Sequence, residues 1–109
     1  MMSATLRSLG LALATAIALH LGAAHAEDAA TNVTIDNFTF APAELTVKVG
    51  STVTFTNHDD IPHTVVSAGK FRSKTLDTDN SFSFTFTAAG DYKYFCSLHP
   101  HMSGMIKVE

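Results

Sequence analysis

The chain contains one cysteine, Cys96, among 109 residues, and no tryptophan. A single cysteine excludes an internal disulfide, the usual staple of small exported domains. Charge is also scarce: Asp, Glu, Lys and Arg make up 16 % of the chain, seven basic against ten acidic residues, for a formal charge of −3. That balance lacks the basic patches that binding to nucleic acid needs, so nucleic acid is not an expected partner. Helical spacing is missing from every long window, and there is no internal repeat, low-complexity tract or domain linker.

Only one stretch is continuously apolar, and it lies at the start. Arg7 precedes "LGLALATAIALHLGAA", and Ala24-His25-Ala26 offers a small-x-small cleavage site. This reads as an export signal over residues 1–26, cleaved after Ala26. The run is short for a membrane span, His20 interrupts it and the polar "EDAATN" follows, so no membrane anchor is expected after cleavage. Arg7 stands alone, which excludes a twin-arginine signal, and no cysteine lies nearby to carry a lipid. The expected location is the periplasm. Removing 26 of 109 residues leaves 83, enough for one small domain over 27–109. Without Arg7 its formal charge is −4.

Period-two alternation with many β-branched and aromatic residues fills this remainder. Val33 and Ile35, Phe38 and Phe40, Leu45 with Val47 and Val49, and Val53 with Phe55 fall on alternate positions. "SFSFTFT" sets Phe82, Phe84 and Phe86 inward, and "DYKYFC" and "GMIKVE" complete the set. Turn signals at Ala41-Pro42, Gly50-Ser51, "NHDD" and Ala89-Gly90-Asp91 separate the runs. Short strands at this spacing indicate an all-β antiparallel sandwich or barrel. Its phenylalanine core replaces the missing disulfides. Residues 67–80 are the least regular and read as a crossover with a short strand near Phe71 or Leu76.

The chemistry concentrates in "FCSLHPHMSGM", residues 95–105. Sulfur and imidazole are the side chains that soft and borderline metals select. Cys96, His99 and Met102 lie three residues apart in a short loop, where Pro100 disfavours helical geometry at His99. A fourth donor must come from elsewhere. His63, in "IPHTVV" at a strand start, is the better candidate, because His58 lies in a polar turn. Met105 competes with Met102, but leads the last strand and is expected to pack there. His101, His58, Asp59 and Asp60 read as solvated polar residues. A thiolate, two imidazoles and a weak thioether form the blue-copper pattern, a compromise between the geometries Cu(I) and Cu(II) prefer.

"FTNHDDIPHTV", "FTFAPAELTVKVGSTVTFTN" and "FSFTFTAAGDYKYFCSLHPHMSGMIKVE" resemble the cupredoxins, and within them the amicyanin-like members with the short ligand loop C-x₂-H-x₂-M. The resemblance implies a small Greek-key β-sandwich of seven to eight strands. It implies one type 1 copper per chain held by His63, Cys96 and His99, with Met102 axial. The implied role is an electron carrier and not an enzyme. Its partners would be redox proteins, a dehydrogenase or a cytochrome-like donor or acceptor, docking near His99 on a monomer. Two departures stand out. Thr64 occupies a position where relatives carry Asn, which leaves the link between the two ligand segments looser. Leu98 and His101 replace Pro and Phe.

Rival readings differ in what the loop must do. Zinc catalysis needs a carboxylate near an open coordination position, and residues 95–105 contain none. A binuclear copper centre needs two bridging cysteines. Periplasmic copper storage or delivery favours exposed donor clusters, whereas here strands flank the loop.

Overall fold

The alternating runs become β-strands within residues 31–109, the part of the chain that the computed structural model describes. The expected export signal lies outside these residues. Strands β1 (Thr31–Asp36), β2 (Thr39–Ala41), β4 (Thr52–Asn57) and β7 (Ser81–Thr85) form one sheet in the order β2-β1-β4-β7. Strands β3 (Glu44–Val47), β5 (Val66–Ser67), β6 (Phe71–Arg72), β8 (Gly90–Cys96) and β9 (His99–Val108) form the other in the order β3-β9-β8-β5-β6. The result is an all-β two-sheet sandwich.

Two details correct the sequence reading. There are nine strands among the described residues, against the seven to eight expected: the crossover holds β6 at Phe71, and the extra short strand β5 begins just before it at Val66. The sheets are also mixed: β1 runs parallel to β4, and β3 parallel to β9.

Inward positions build the core as their spacing predicts. Val33, Ile35, Val53 and Phe55 from one sheet are buried, as are Tyr92, Tyr94, Ile106 and Val108 from the other. The valine, isoleucine and phenylalanine side chains among them each contribute about 1.5–3 kcal/mol by leaving water. Phe86 is fully buried, but Phe82 and Phe84 only pack against the core's edge, because β7 is the outermost strand of its sheet. Val49 is 49 % exposed, since β3 ends at Val47 and the following turn breaks the alternation. Gly104 has a specific reason to be glycine. The Tyr94 ring crosses it from the neighbouring strand, and a Cβ there would lie 2.5 Å from the ring's Cζ and collide with the hydroxyl.

Phe38 departs furthest from expectation. β1 and β2 are joined by the two-residue turn Asn37-Phe38, with φ of 52° and 58°. Two successive positive φ values mark the hairpin turn that favours Asn-Gly. Asn suits this conformation; a bulky side chain there costs about 1–2 kcal/mol. Phe38 is thus a turn residue and not an inward strand residue, and it is 38 % exposed.

Candidate metal centre

His63 is fixed by a single isolated bridge. Its N–H donates to the Leu76 carbonyl at 3.1 Å, and Leu76 N–H donates back to the His63 carbonyl at 2.7 Å. His63 therefore lies just before β5, not within a strand. Buried Asn57 at the end of β4 fastens the same region, donating through Nδ2 to the carbonyls of Ile61 and Leu76.

The Cys96 hairpin brings the other donors. β8 and β9 pair regularly up to Phe95 opposite Ser103, where one further step would set Met102 opposite Cys96. Instead the register shifts and Cys96 pairs with His99. The stretch read as a loop is therefore the bulged start of β9, and bulges of this kind re-aim side chains. Cys96 and Met102 both point into the core, whereas His99 is half-buried.

These elements draw three donor atoms together. The Cys96 Sγ lies 3.7 Å from His63 Nδ1 and 3.6 Å from His99 Nδ1, and all three atoms fall within 4.8 Å of one another. Taking zinc's bond lengths as the scale for a borderline cation, an ion bonded to sulfur and nitrogen would separate them by about 3.5–3.8 Å, from tetrahedral to trigonal. The observed spacings fit. Met102 is buried in the same cluster as Cys96. His58 and His101 stay outside it: His58 sits 3.6 Å from Asp79 at the surface, and His101 is exposed.

The supporting shell contains a residue that sequence reasoning assigned to a solvated turn. Asp59 is buried, and its Oδ2 accepts from His63 Nε2 at 2.9 Å and from the Phe38 N–H at 3.0 Å. The Asp59 N–H in turn donates to Asn57 Oδ1 at 2.8 Å, and Thr78 Oγ1 donates to its carbonyl. The hydrogen bond from His63 leads the contacts that lower the Asp59 carboxyl below its usual range. By accepting at Nε2, Asp59 fixes the ring so that the other nitrogen, Nδ1, faces Cys96 Sγ, the orientation that a metal-binding histidine needs. The available signal was spacing, since a carboxylate four residues before His63 across a tight turn can reach the ring.

Thr64 does more than its substitution for Asn suggested. The Ser97 N–H donates to Thr64 Oγ1 at 2.7 Å, and the two hydroxyls lie 2.8 Å apart. The Thr64 N–H also points at Cys96 Sγ, at 3.4 Å. The threonine hydroxyl thus joins the His63 and Cys96 segments directly. Burial alone would raise the Cys96 thiol. The Thr64 N–H, the His63 and His99 rings and the Leu98 N–H outweigh it and bring the thiol down to about 6. A poised thiolate beside two imidazoles suits a metal, which binds the deprotonated sulfur.

Residues 9–108 match the Cupredoxin-like domain family. The chain belongs to the cupredoxin family. The cupredoxin is 37 % identical over 93 residues to the amicyanin of Paracoccus denitrificans, a match covering 80 % of this chain and 71 % of that one. It is 36 % identical over 83 residues to the amicyanin of Paracoccus versutus, covering 71 % of this chain and 63 % of the relative. Among solved structures, a purple cupredoxin from Nitrosopumilus maritimus superposes with a TM-score of 0.70 at 33 % identity, covering 72 % of this chain and 99 % of that one. The cluster of His63, Cys96, His99 and Met102 fits one type 1 copper ion, in keeping with the family.

Proposed function

We propose that this cupredoxin is an exported electron carrier, not an enzyme, that shuttles single electrons between redox proteins in the periplasm. His63 Nδ1, His99 Nδ1 and the Cys96 thiolate would be the strong ligands, with the Met102 thioether as a weak axial one. Copper held there supplies a one-electron couple whose two oxidation states share one ligand set. The observation that carries the reading is the three donor atoms gathered within 4.8 Å of one another and clamped from behind. Asp59 holds the His63 ring, Thr64 ties Ser97 to the His63 segment, and the bulge fixes His99 against Cys96. A ligand set clamped in this way has little freedom to move when the charge changes, which is what fast electron exchange requires.

The half-buried His99 is the only one of the four candidate ligands not fully buried, and the surface beside it is apolar. Leu98 is 50 % exposed and Pro100 is exposed. A small apolar rim of this kind supports weak contacts that release quickly, which suits a monomeric carrier serving dehydrogenase or cytochrome-like partners. Copper storage or delivery fits less well, since three of the four donors are buried and a transfer site needs them within reach of an acceptor.

Adding Cu(II) to the purified mature protein should give an intense blue thiolate-to-copper band, and Met102→Ala should shift that band and the potential without abolishing it. Leu98→Asp should slow electron exchange with partners while leaving the colour intact. A protein that stays colourless with Cu(II), or that surrenders Cu(I) at once to chelators, would overturn the carrier reading.

A further inference from the structure

Phe38 occupies a position that local chemistry assigns to glycine. It is the second residue of a two-residue hairpin turn, with φ of 58°, and its ring is outside the core cluster. Backbone outliers of this kind persist where the surroundings over-determine them, and they gather at functional sites. The surroundings here are the metal centre. The Phe38 ring lies 4.9 Å from the His99 ring at an interplanar angle of 81°, and 5.4 Å from the His63 ring at 87°. Both are edge-on arrangements, which aromatic pairs favour. The residue is also tied through its main chain, since its N–H shares Asp59 Oδ2 with His63 Nε2.

We propose that Phe38 is a positioning residue of the metal centre, its ring bracing both imidazoles from the solvent side. The brace matters most for His99, the half-buried ligand, whose ring would otherwise have an open path outward. A glycine in the turn would relax the backbone and leave that path unblocked. Phe38 keeps the strained turn and closes the path. The shared carboxylate oxygen sets the turn in register with His63, so ring and main chain act on the two histidines together. This inference rests on the copper reading for its metal-loaded readout, and on the ring geometry alone for its metal-free one.

The test compares Phe38→Ala, Phe38→Gly and Phe38→Tyr. Alanine removes the ring and keeps the backbone cost, glycine removes both, and tyrosine keeps the ring. In copper-loaded protein, the alanine and glycine variants should lose Cu(I) to bicinchoninate alike, about tenfold faster than wild type, the scale of one lost aromatic pair; tyrosine should stay within about twofold. The blue band should persist in all. Without metal, the glycine variant should be more stable than the alanine one, so release and folding stability follow different orders. Release at the wild-type rate in both ring-less variants would overturn the proposal. So would release that tracks stability, with glycine restored towards wild type. In metal-free protein, NMR should show cross-relaxation between the Phe38 and His99 rings and one His99 rotamer, averaging to several when the ring is gone. A single rotamer in every variant would overturn the brace. A wild type that never turns blue would retire the copper reading, and the metal-free experiment would still decide the role of Phe38.

Discussion

Removing the metal exposes the Cys96 thiol to a pH titration whose direction and midpoint the structure sets. Burial penalises the thiolate, but the Thr64 N–H, the two imidazoles and the Leu98 N–H favour it more, and the thiol falls from 9.0 to about 6. At pH 7 roughly ten metal-free molecules would then carry thiolate for each one carrying thiol. The sign for stability follows from linkage. Because the folded value lies below the unfolded one, this group's contribution is fully present above pH 9.0 and declines as pH falls towards 6. Below about 6 it is gone. Metal-free protein should therefore gain stability from this group as pH rises between 6 and 9. The assay is the ultraviolet thiolate band of metal-free protein, with Cys96→Ser as the blank, alongside denaturant melts at both ends of the window. His63→Ala should raise the midpoint by removing one contributor. A wild-type midpoint near the ordinary 9.0 would refute the reasoning, because it would mean that burial wins over the hydrogen bonds.

The Tyr94 hydroxyl is buried without a hydrogen-bond partner among the described residues, a cost of about 1–3 kcal/mol. Tyr94→Phe should remove that cost and raise the melting temperature, at about 4–8 °C per kcal/mol for a domain of this size; a lower melting temperature would show that the hydroxyl is satisfied. Gly104→Ala should destabilise by about 1–3 kcal/mol, since its Cβ would meet the Tyr94 ring. A denaturant melt with an unchanged midpoint would count against that packing. Asp59→Asn keeps an acceptor for His63 Nε2 and removes a negative charge beside the centre. The copper potential should rise by tens of millivolts on voltammetry, where about 59 mV is tenfold in a one-electron equilibrium. An unchanged potential would mean that the carboxylate's charge is not felt at the metal.

What could be read from residue order divides along a physical line. Cys96, His99 and Met102 were legible because their types are rare and their spacing is short, and His63 because only His58 competed with it for the fourth position. The alternating runs foretold the sandwich, and Phe71 and Leu76 foretold the crossover contacts, as β6 and the His63 bridge show. The shell around the donors was not legible. Phe38 reaches Asp59 across 21 residues of chain, and Thr64 reaches Ser97 across 33. Only the folded sheets bring these pairs into range, and no local pattern encodes which turn faces which. The local hints were two: the four-residue spacing from Asp59 to His63, and Asn37 before Phe38, since Asn favours positive φ. Donor identity is thus a property of short segments, whereas donor orientation depends on pairing between distant strands. It follows that substitutions at Asp59, Thr64 or Phe38 should alter how the site behaves while leaving the motif in residues 95–105 intact, and a scan for that motif alone would miss them.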